Sequence, residues 1–194
     1  MVRAQFSQSY EAVRSRIRRL PELYQESLEA LQKRDADRLV ELFRDGILQG
    51  QLRLTPLSPV TVTEKTRKGY SYPTRPLVGK GASDLNSYAN MMVVTEERRG
   101  RGKRWIVTPK DEDHHEADLS LEALFRIHEF GATIHSASGP PIRIPPRPAF
   151  RYAFRRLMRE RARRDDSQAV QEAIARYVRR GDRRALKIVR ERRQ

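Results

Sequence analysis

Apolar residues recur at helical spacing through the first fifty positions of the chain. A helix is predicted over residues 8–32, where Pro21 either breaks the pattern or opens a second helix at its first position. A further helix is predicted from about Asp35 to Gly50, because four apolar residues there share one face. These four residues are Leu39, Leu42, Phe43 and Ile47.

The middle of the chain alternates short predicted elements with turns. Ser58 and Pro59 predict a helix start, because serine is a favoured N-cap and proline a favoured first helical residue. This helix should end near Gly69, and the two prolines and two glycines of residues 70–81 predict a shaped loop. Strands are predicted over residues 87–95 and 104–109, and the Gly-rich basic turn between them predicts a β-hairpin.

Helical patterns dominate the remainder. A helix over residues 119–131 should end at Gly131, and Ile134 to Ile142 has the pattern of a second hairpin. The next helix should run from about Pro148 to Arg164, with an apolar face formed by Phe150, Ala153, Phe154, Leu157 and Met158. Asp166 or Ser167 should cap a further helix, whose apolar residues are Val170, Ala173, Ile174, Tyr177 and Val178.

The charge of the chain is unevenly distributed. The 194 residues include 40 basic and 25 acidic ones, a net charge of +15. Residues 151–194 carry 16 basic and 6 acidic side chains, or +10, and residues 1–150 carry 24 and 19, or +5. This asymmetry predicts a main domain over residues 1–165 and a basic helical extension over 166–194. Basic extensions bind nucleic acid, acidic proteins or anionic lipids.

Several classes of protein are disfavoured by what the sequence lacks. The chain has no cysteine, which excludes disulfide frameworks, thiol catalysis and zinc–thiolate sites. No run of about 18 apolar residues predicts a membrane span. The first twenty residues lack the apolar segment of a secretory signal. We therefore expect no membrane partner.

Catalytic and metal-binding patterns are weak. His114, His115, Glu116 and Asp118 could supply metal ligands, but an acidic surface loop is the favoured interpretation. His128 and Glu129 begin a zinc-protease-like string, yet Ala132 stands where the second histidine is required. The glycines do not have phosphate-loop spacing, and no G-x-S-x-G elbow occurs. The missing motifs disfavour an enzyme, and we expect no metal and no cofactor.

Arginines at every fourth position line one face of the predicted helix over 148–164. Such a row suits a phosphate backbone or an acidic partner, although a merely solvated face is the alternative. The interpretation as a polyanion contact draws on the charge excess of the last 44 residues. The predicted contact residues are Arg151, Arg155, Arg159, Arg163, Arg176 and Arg180.

Four segments, in order, resemble a family of tailed-phage proteins. LTPLSPVTVTEKTRKG (54–69) is similar to a "W-x-P-L-S-x-x-T" helix followed by a lysine, and RPLVGKGASDLNSY (75–88) to a loop that leads into a strand. Residues 129–133 (EFGAT) resemble an E-F-G-T-like turn, and residues 145–150 (PPRPAF) a P-x-R-P-F-like segment before a helix. The family is that of tail-completion, or virion-morphogenesis, proteins.

The resemblance implies an α+β fold with a small antiparallel sheet packed against helices, similar to tail-terminator and tail-tube proteins. It implies a non-enzymatic virion protein of the neck or upper tail, assembled in the host cytoplasm, whose homo-oligomeric ring joins tail to head. The implied partners are neighbouring neck, connector or tail proteins, with non-specific contact to packaged DNA. The terminator, stopper and completion roles stay open. The alternative is a nucleic-acid-binding accessory protein acting through its basic tail.

The proline-rich segment before the last long helix is the predicted subunit interface, because a rigid backbone loses little entropy on binding. The alternative is that it only anchors that helix. Arg147 lies between two prolines, so its side chain should point outward, and its replacement by Ala should impair assembly rather than folding. The interface residues are Pro145, Pro146, Arg147, Pro148 and Phe150.

Overall fold

Helices and short strand pairs alternate along the chain in the computed structural model, so that the fold class is α+β. The structure describes residues 14–78, 88–100, 102–114, 119–135, 140–164, 170–171 and 174–175. By internal contacts these residues divide into two compact units. Unit 1 comprises the described residues up to Asp35, Glu96–Trp105 and those from Arg161 onward, and unit 2 comprises Ala36–Thr95 and Ile106–Glu160. The predicted boundary at residue 165 stays a prediction.

The first long helix, α1, is Leu20–Leu48 and is continuous for 29 residues. Two separate helices were expected here, and that expectation is wrong. Residues 14–18 are helical, a turn follows at Arg19, and Pro21 occupies the first turn of α1, where its missing N–H costs no hydrogen bond. The predicted apolar face is confirmed, because Leu39, Leu42, Phe43 and Ile47 are all buried.

Helix α2, Pro59–Arg67, begins where the sequence predicts. The Ser58 hydroxyl oxygen accepts a hydrogen bond from the Thr61 backbone N–H at 3.2 Å, and Pro59 follows as the first helical residue. This bond satisfies one of the N–H groups that a helix start leaves without an intrahelical partner. Both predicted features of this start are confirmed.

Ser58→Ala should lower the free energy of unfolding by about 1 kcal/mol, because the Thr61 N–H loses its acceptor. Urea denaturation followed by circular dichroism measures this loss. Ser58→Asp, which keeps an N-cap acceptor, should stay within about 0.5 kcal/mol of the original protein. Equal losses in the two variants would show that the cap does not stabilise α2.

The described strands form three two-stranded pairs. Strands β1, Met92–Arg99, and β2, Gly102–Pro109, pair across a two-residue connection, so they form the predicted antiparallel hairpin. Strands β3, Asp113–His114, and β4, Leu119–Ser120, pair antiparallel within the predicted acidic loop region. Strands β5, Ala132–Ile134, and β6, Ile142–Ile144, form the second predicted hairpin, with Ile134 opposite Ile142.

Two helices flank the last hairpin. Helix α3 is Leu121–Phe130, with Ser120 as N-cap and Gly131 as the residue that ends it. Gly131 has φ +80°, and a Cβ there would lie 2.9 Å from the Ile144 carbonyl oxygen, so only glycine fits. Helix α4 is Ala149–Ala162 and confirms the predicted helix after the prolines. The proposed caps Asp166 and Ser167 lie outside the described residues.

The hydrophobic core of unit 2 joins α1, α3 and α4. Fully buried side chains include Phe43, Met91 and Leu121, and Ala153 and Leu157 supply the contribution of α4. One member of the predicted apolar face of α4 does not join them. Phe154 is 45% exposed, so its assignment to the core is wrong. Phe154 and the next residue, Arg155, are both exposed to solvent.

Unit 1 has a small apolar cluster and one ionic cluster in its described part. Val170 is buried against Leu31 and Ile174. Asp35 accepts a hydrogen bond from Arg164 at 3.2 Å and lies 3.7 Å from the Arg161 guanidinium. Within the described residues of either unit, no helix is both long enough and apolar enough to cross a membrane.

Candidate functional site

Arg147 is buried, with 6% of its surface exposed. Its Nε donates to the Thr55 carbonyl at 3.0 Å and its Nη2 to the Pro56 carbonyl at 3.3 Å. Its backbone N–H donates to the His128 carbonyl at 2.6 Å. Burial lowers the pKa of the guanidinium from its ordinary value. The outward orientation expected for Arg147 is therefore wrong, because carbonyl oxygens inside unit 2 bind its side chain.

The segment that precedes α2 returns a hydrogen bond to the proline-rich segment. The Thr55 hydroxyl donates to the Pro146 carbonyl at 3.1 Å. Together with the two bonds from Arg147, this makes three hydrogen bonds between residues 55–56 and 146–147. The two segments are about ninety positions apart in sequence. Their side chains therefore fix two loops to each other, which local turn preferences could not do.

Glu129 caps α4 from outside that helix. Its Oε2 accepts from the Phe150 N–H at 3.1 Å and its Oε1 from the Arg151 N–H at 3.0 Å. Only 5% of Glu129 is exposed, and burial raises the pKa of its carboxyl, although the two N–H donors oppose that change. A carboxylate at a helix start satisfies free N–H groups and is favoured by the helix dipole.

Lys65 binds the loop that follows α2. Its ammonium donates to the Val78 carbonyl at 2.7 Å and to the Arg75 carbonyl at 3.0 Å, and it lies 5.2 Å from the centre of the Tyr70 ring. Burial, and then the positive charge of Arg147, lower the pKa of this amine. The lysine of the phage-like segment thus holds residues 75–78 in place through their backbone oxygens.

His128 and Tyr88 lie beside this network. Their rings meet edge to face, with centroids 5.0 Å apart. The Tyr88 hydroxyl and the His128 Nδ1 are buried and have no hydrogen-bond partner among the described residues. Burial, and then the charge of Arg147, lower the pKa of His128 to about 4, and burial raises the pKa of Tyr88. His128 is therefore neutral at pH 7.

The polar network, which we define as Thr55, Lys65, Glu129 and Arg147, joins the segments that carry the phage-like motifs. Thr55 and Lys65 belong to the first segment, and both carbonyls that Lys65 binds, those of Arg75 and Val78, belong to the second. Glu129 comes from the third segment and Arg147 from the fourth. All their described hydrogen bonds end on backbone atoms. Among the described residues, no three His, Asp or Glu side chains come together as a metal site.

Comparison of the chain with protein-family models, with curated protein sequences and with solved structures finds no match.

The predicted interface residues are divided by the fold. Pro145 and Pro146 are exposed and Pro148 is half-buried, whereas Arg147 points inward. Phe150 packs on the core of unit 2, with its ring 5.8 Å from that of Phe125. Arg147 and Phe150 therefore anchor α4, which is the alternative to an interface role. An interface role for Pro145 and Pro146 stays a prediction.

The predicted basic face is exposed where the structure describes it. Arg151, Arg155 and Arg159 on α4 and Arg163 just after it are exposed. Arg176 and Arg180 lie outside the described residues, as do three of the four residues weighed as metal ligands and not favoured: His115, Glu116 and Asp118. For His114 the structure describes only the backbone, in β3.

Sequence reasoning missed the role of Glu129 and the inward direction of Arg147. In sequence, Glu129 belongs to a zinc-protease-like string and to the E-F-G-T-like turn, and neither pattern indicates a helix cap. Its partners follow 21 and 22 positions later, beyond the range of a capping-box pattern. A useful signal was the absence of a good N-cap at Pro148, because a helix start without its own acceptor must find one elsewhere.

Proposed function

We propose that this chain is a non-enzymatic structural subunit of a tailed-phage virion, which forms a ring at the neck or upper tail and joins tail to head. One observation carries the proposal. Four segments that resemble the tail-completion family in sequence also meet through one polar network in unit 2. The four segments therefore belong to one folded unit, and this supports the proposal.

The chemistry of the network supports a structural role. Lys65 and Arg147 donate to carbonyl oxygens, and Glu129 accepts from backbone N–H groups. A catalytic acid, base or nucleophile has to reach a substrate, and perturbed groups of that kind lie in clefts. Here the same groups fix the entry of α4 and the loop after α2. We therefore propose that the polar network stabilises the fold of unit 2 and that residues at the surface bind the partners.

Exposed apolar side chains supply a surface for contact between copies. Ile134 and Ile142 face each other across β5 and β6, and they are 48% and 60% exposed. Phe130, the last residue of α3, is 65% exposed. Large apolar side chains grouped at a surface mark interaction sites, and a ring needs a heterologous contact that closes on rotation. We propose that these residues, with Pro145 and Pro146, contact a neighbouring copy.

Ile142→Lys should convert the oligomer to a monomer that keeps its folded circular dichroism spectrum, because Ile142 is exposed within unit 2 and needed only at the contact. Light scattering coupled to gel filtration measures the mass of the assembly. Val60→Lys is the matched control, since Val60 is 74% exposed on α2 and the substitution adds the same charge. The control should assemble as the original protein does.

A different result would favour the second function. The exposed arginines of α4 are compatible with a nucleic-acid-binding accessory protein. In that case the unmodified chain should remain a monomer at all concentrations, and purified tails should not recruit it. A chain that is monomeric alone but adds to purified tails would keep the virion role and restrict ring formation to the assembled particle. A chain that is monomeric at all concentrations and does not add to purified tails would overturn the proposal.

A further inference from the structure

The arginines of α4 fall into two groups that differ in their partners. Arg156 donates to the Gln51 side-chain oxygen at 2.6 Å and lies 3.5 Å from the Glu160 carboxylate. Arg155 and Arg159 are exposed, and none of the ion pairs among the described residues involves them. Arg159 Nε makes one long bond, 3.4 Å, to the Arg155 carbonyl. Two guanidinium groups are therefore exposed, with no ion pair to an acid of the described residues.

Two described carboxylates near this row already have other partners. Glu160 is the single acid on α4, and Arg38 binds both of its oxygens, at 3.0 and 3.2 Å. Glu129, whose charge interacts with Arg151, uses both oxygens as the cap of α4. Neither carboxylate is placed to neutralise Arg155 or Arg159. The arginine face, which we define as Arg151, Arg155 and Arg159, is thus a row of exposed cations, and the two described carboxylates near it bind other groups.

The spacing of the row suits a polymer of regularly spaced charges. Residues four apart on a helix are about 6 Å apart along its axis, so the three arginines span about 12 Å. One strand of duplex DNA carries a phosphate for about every 3.4 Å of axis, so a row of this length can reach more than one phosphate of a strand. A guanidinium can also donate two N–H hydrogen bonds to one phosphate in a bidentate pair, and the ammonium of a lysine lacks this planar geometry.

We infer that the arginine face of α4 binds the phosphate backbone of duplex DNA without sequence preference. This inference does not depend on the proposed ring. An acidic protein is the less favoured occupant, because protein interfaces bury an apolar centre and Phe154 is the one large apolar side chain that α4 exposes. The net charge of +15 attracts a polyanion from a distance, and the row supplies the contacts at short range.

The test compares two double variants that lose the same charge. Arg155→Gln with Arg159→Gln removes the row, whereas Arg67→Gln with Arg126→Gln removes two exposed arginines that pair with Glu64 and Glu122. Fluorescence anisotropy follows binding to a labelled duplex of about 20 base pairs between roughly 50 and 200 mM salt. The slope of log affinity against log salt should become shallower by about 1.8 for the first variant, or 0.9 per phosphate contact. The control should change it little.

A third variant separates loss of contact from loss of fold. Arg155→Lys with Arg159→Lys keeps both charges, so its salt slope should stay near that of the original protein even if its affinity falls. Circular dichroism confirms that all variants are helical. Equal slopes in the arginine-face variant and the control would overturn the inference. So would tighter binding to labelled polyglutamate than to the duplex, which would identify an acidic protein as the occupant.

Discussion

Arg147→Ala should lower the free energy of unfolding by roughly 2–4 kcal/mol. The variant loses two charge-assisted hydrogen bonds and leaves the Thr55 and Pro56 carbonyls without these donors. It also leaves a void at a position where only 6% of the side chain was exposed. Urea denaturation measures the change, and the folded fraction at low temperature shows whether the native state survives.

Arg143→Ala is the control for this prediction. Arg143 lies four residues earlier, on β6, and is exposed, so its removal should change the free energy of unfolding by less than about 0.5 kcal/mol. Arg147→Lys should fall between the two, because it keeps the charge but not the fork that reaches two carbonyls. If Arg147→Ala unfolds like the original protein and only assembly fails, the buried orientation is not the one that matters in solution.

Features that depend on a few neighbouring residues could be predicted from the sequence. The Ser58 cap, the end of α3 at Gly131 and the hairpin over β1 and β2 each follow from residues within about five positions of one another. The buried face of α1 follows from helical spacing alone. Each of these features depends on local backbone preference or on periodicity, and both can be read from neighbouring residues.

Features that depend on distant partners could not be predicted in the same way. Helical periodicity assigned Phe154 to the core, but the elements that pack against α4 determine which of its side chains are buried. The sequence around Arg147 predicts a side chain that points outward, because no residue near it in sequence indicates a bond to the Thr55 carbonyl 92 positions away. Glu129 similarly caps a helix that begins twenty residues later. The order of the phage-like segments was visible in the sequence, but their meeting was not.

The free energy of unfolding should fall by about 3 kcal/mol through His128 as the pH is lowered from about 6.5 to about 4. Burial and the nearby Arg147 hold the pKa of His128 at about 4 in the folded chain, whereas an unfolded histidine titrates near 6.5. Between these two values the unfolded chain binds a proton that the folded chain does not. Stability therefore rises with pH across this window and is fully present above it.

The contribution of His128 is isolated by subtracting the pH profile of His128→Phe from that of the original protein. Phenylalanine keeps an edge-to-face partner for Tyr88, and the His128 Nδ1 has no hydrogen bond among the described residues to lose. Glu129 works in the opposite direction, because its raised pKa makes stability fall as pH rises, but it titrates in both proteins. Parallel profiles from pH 7 to pH 4 would mean that His128 titrates normally and that the packing around it admits the charged ring.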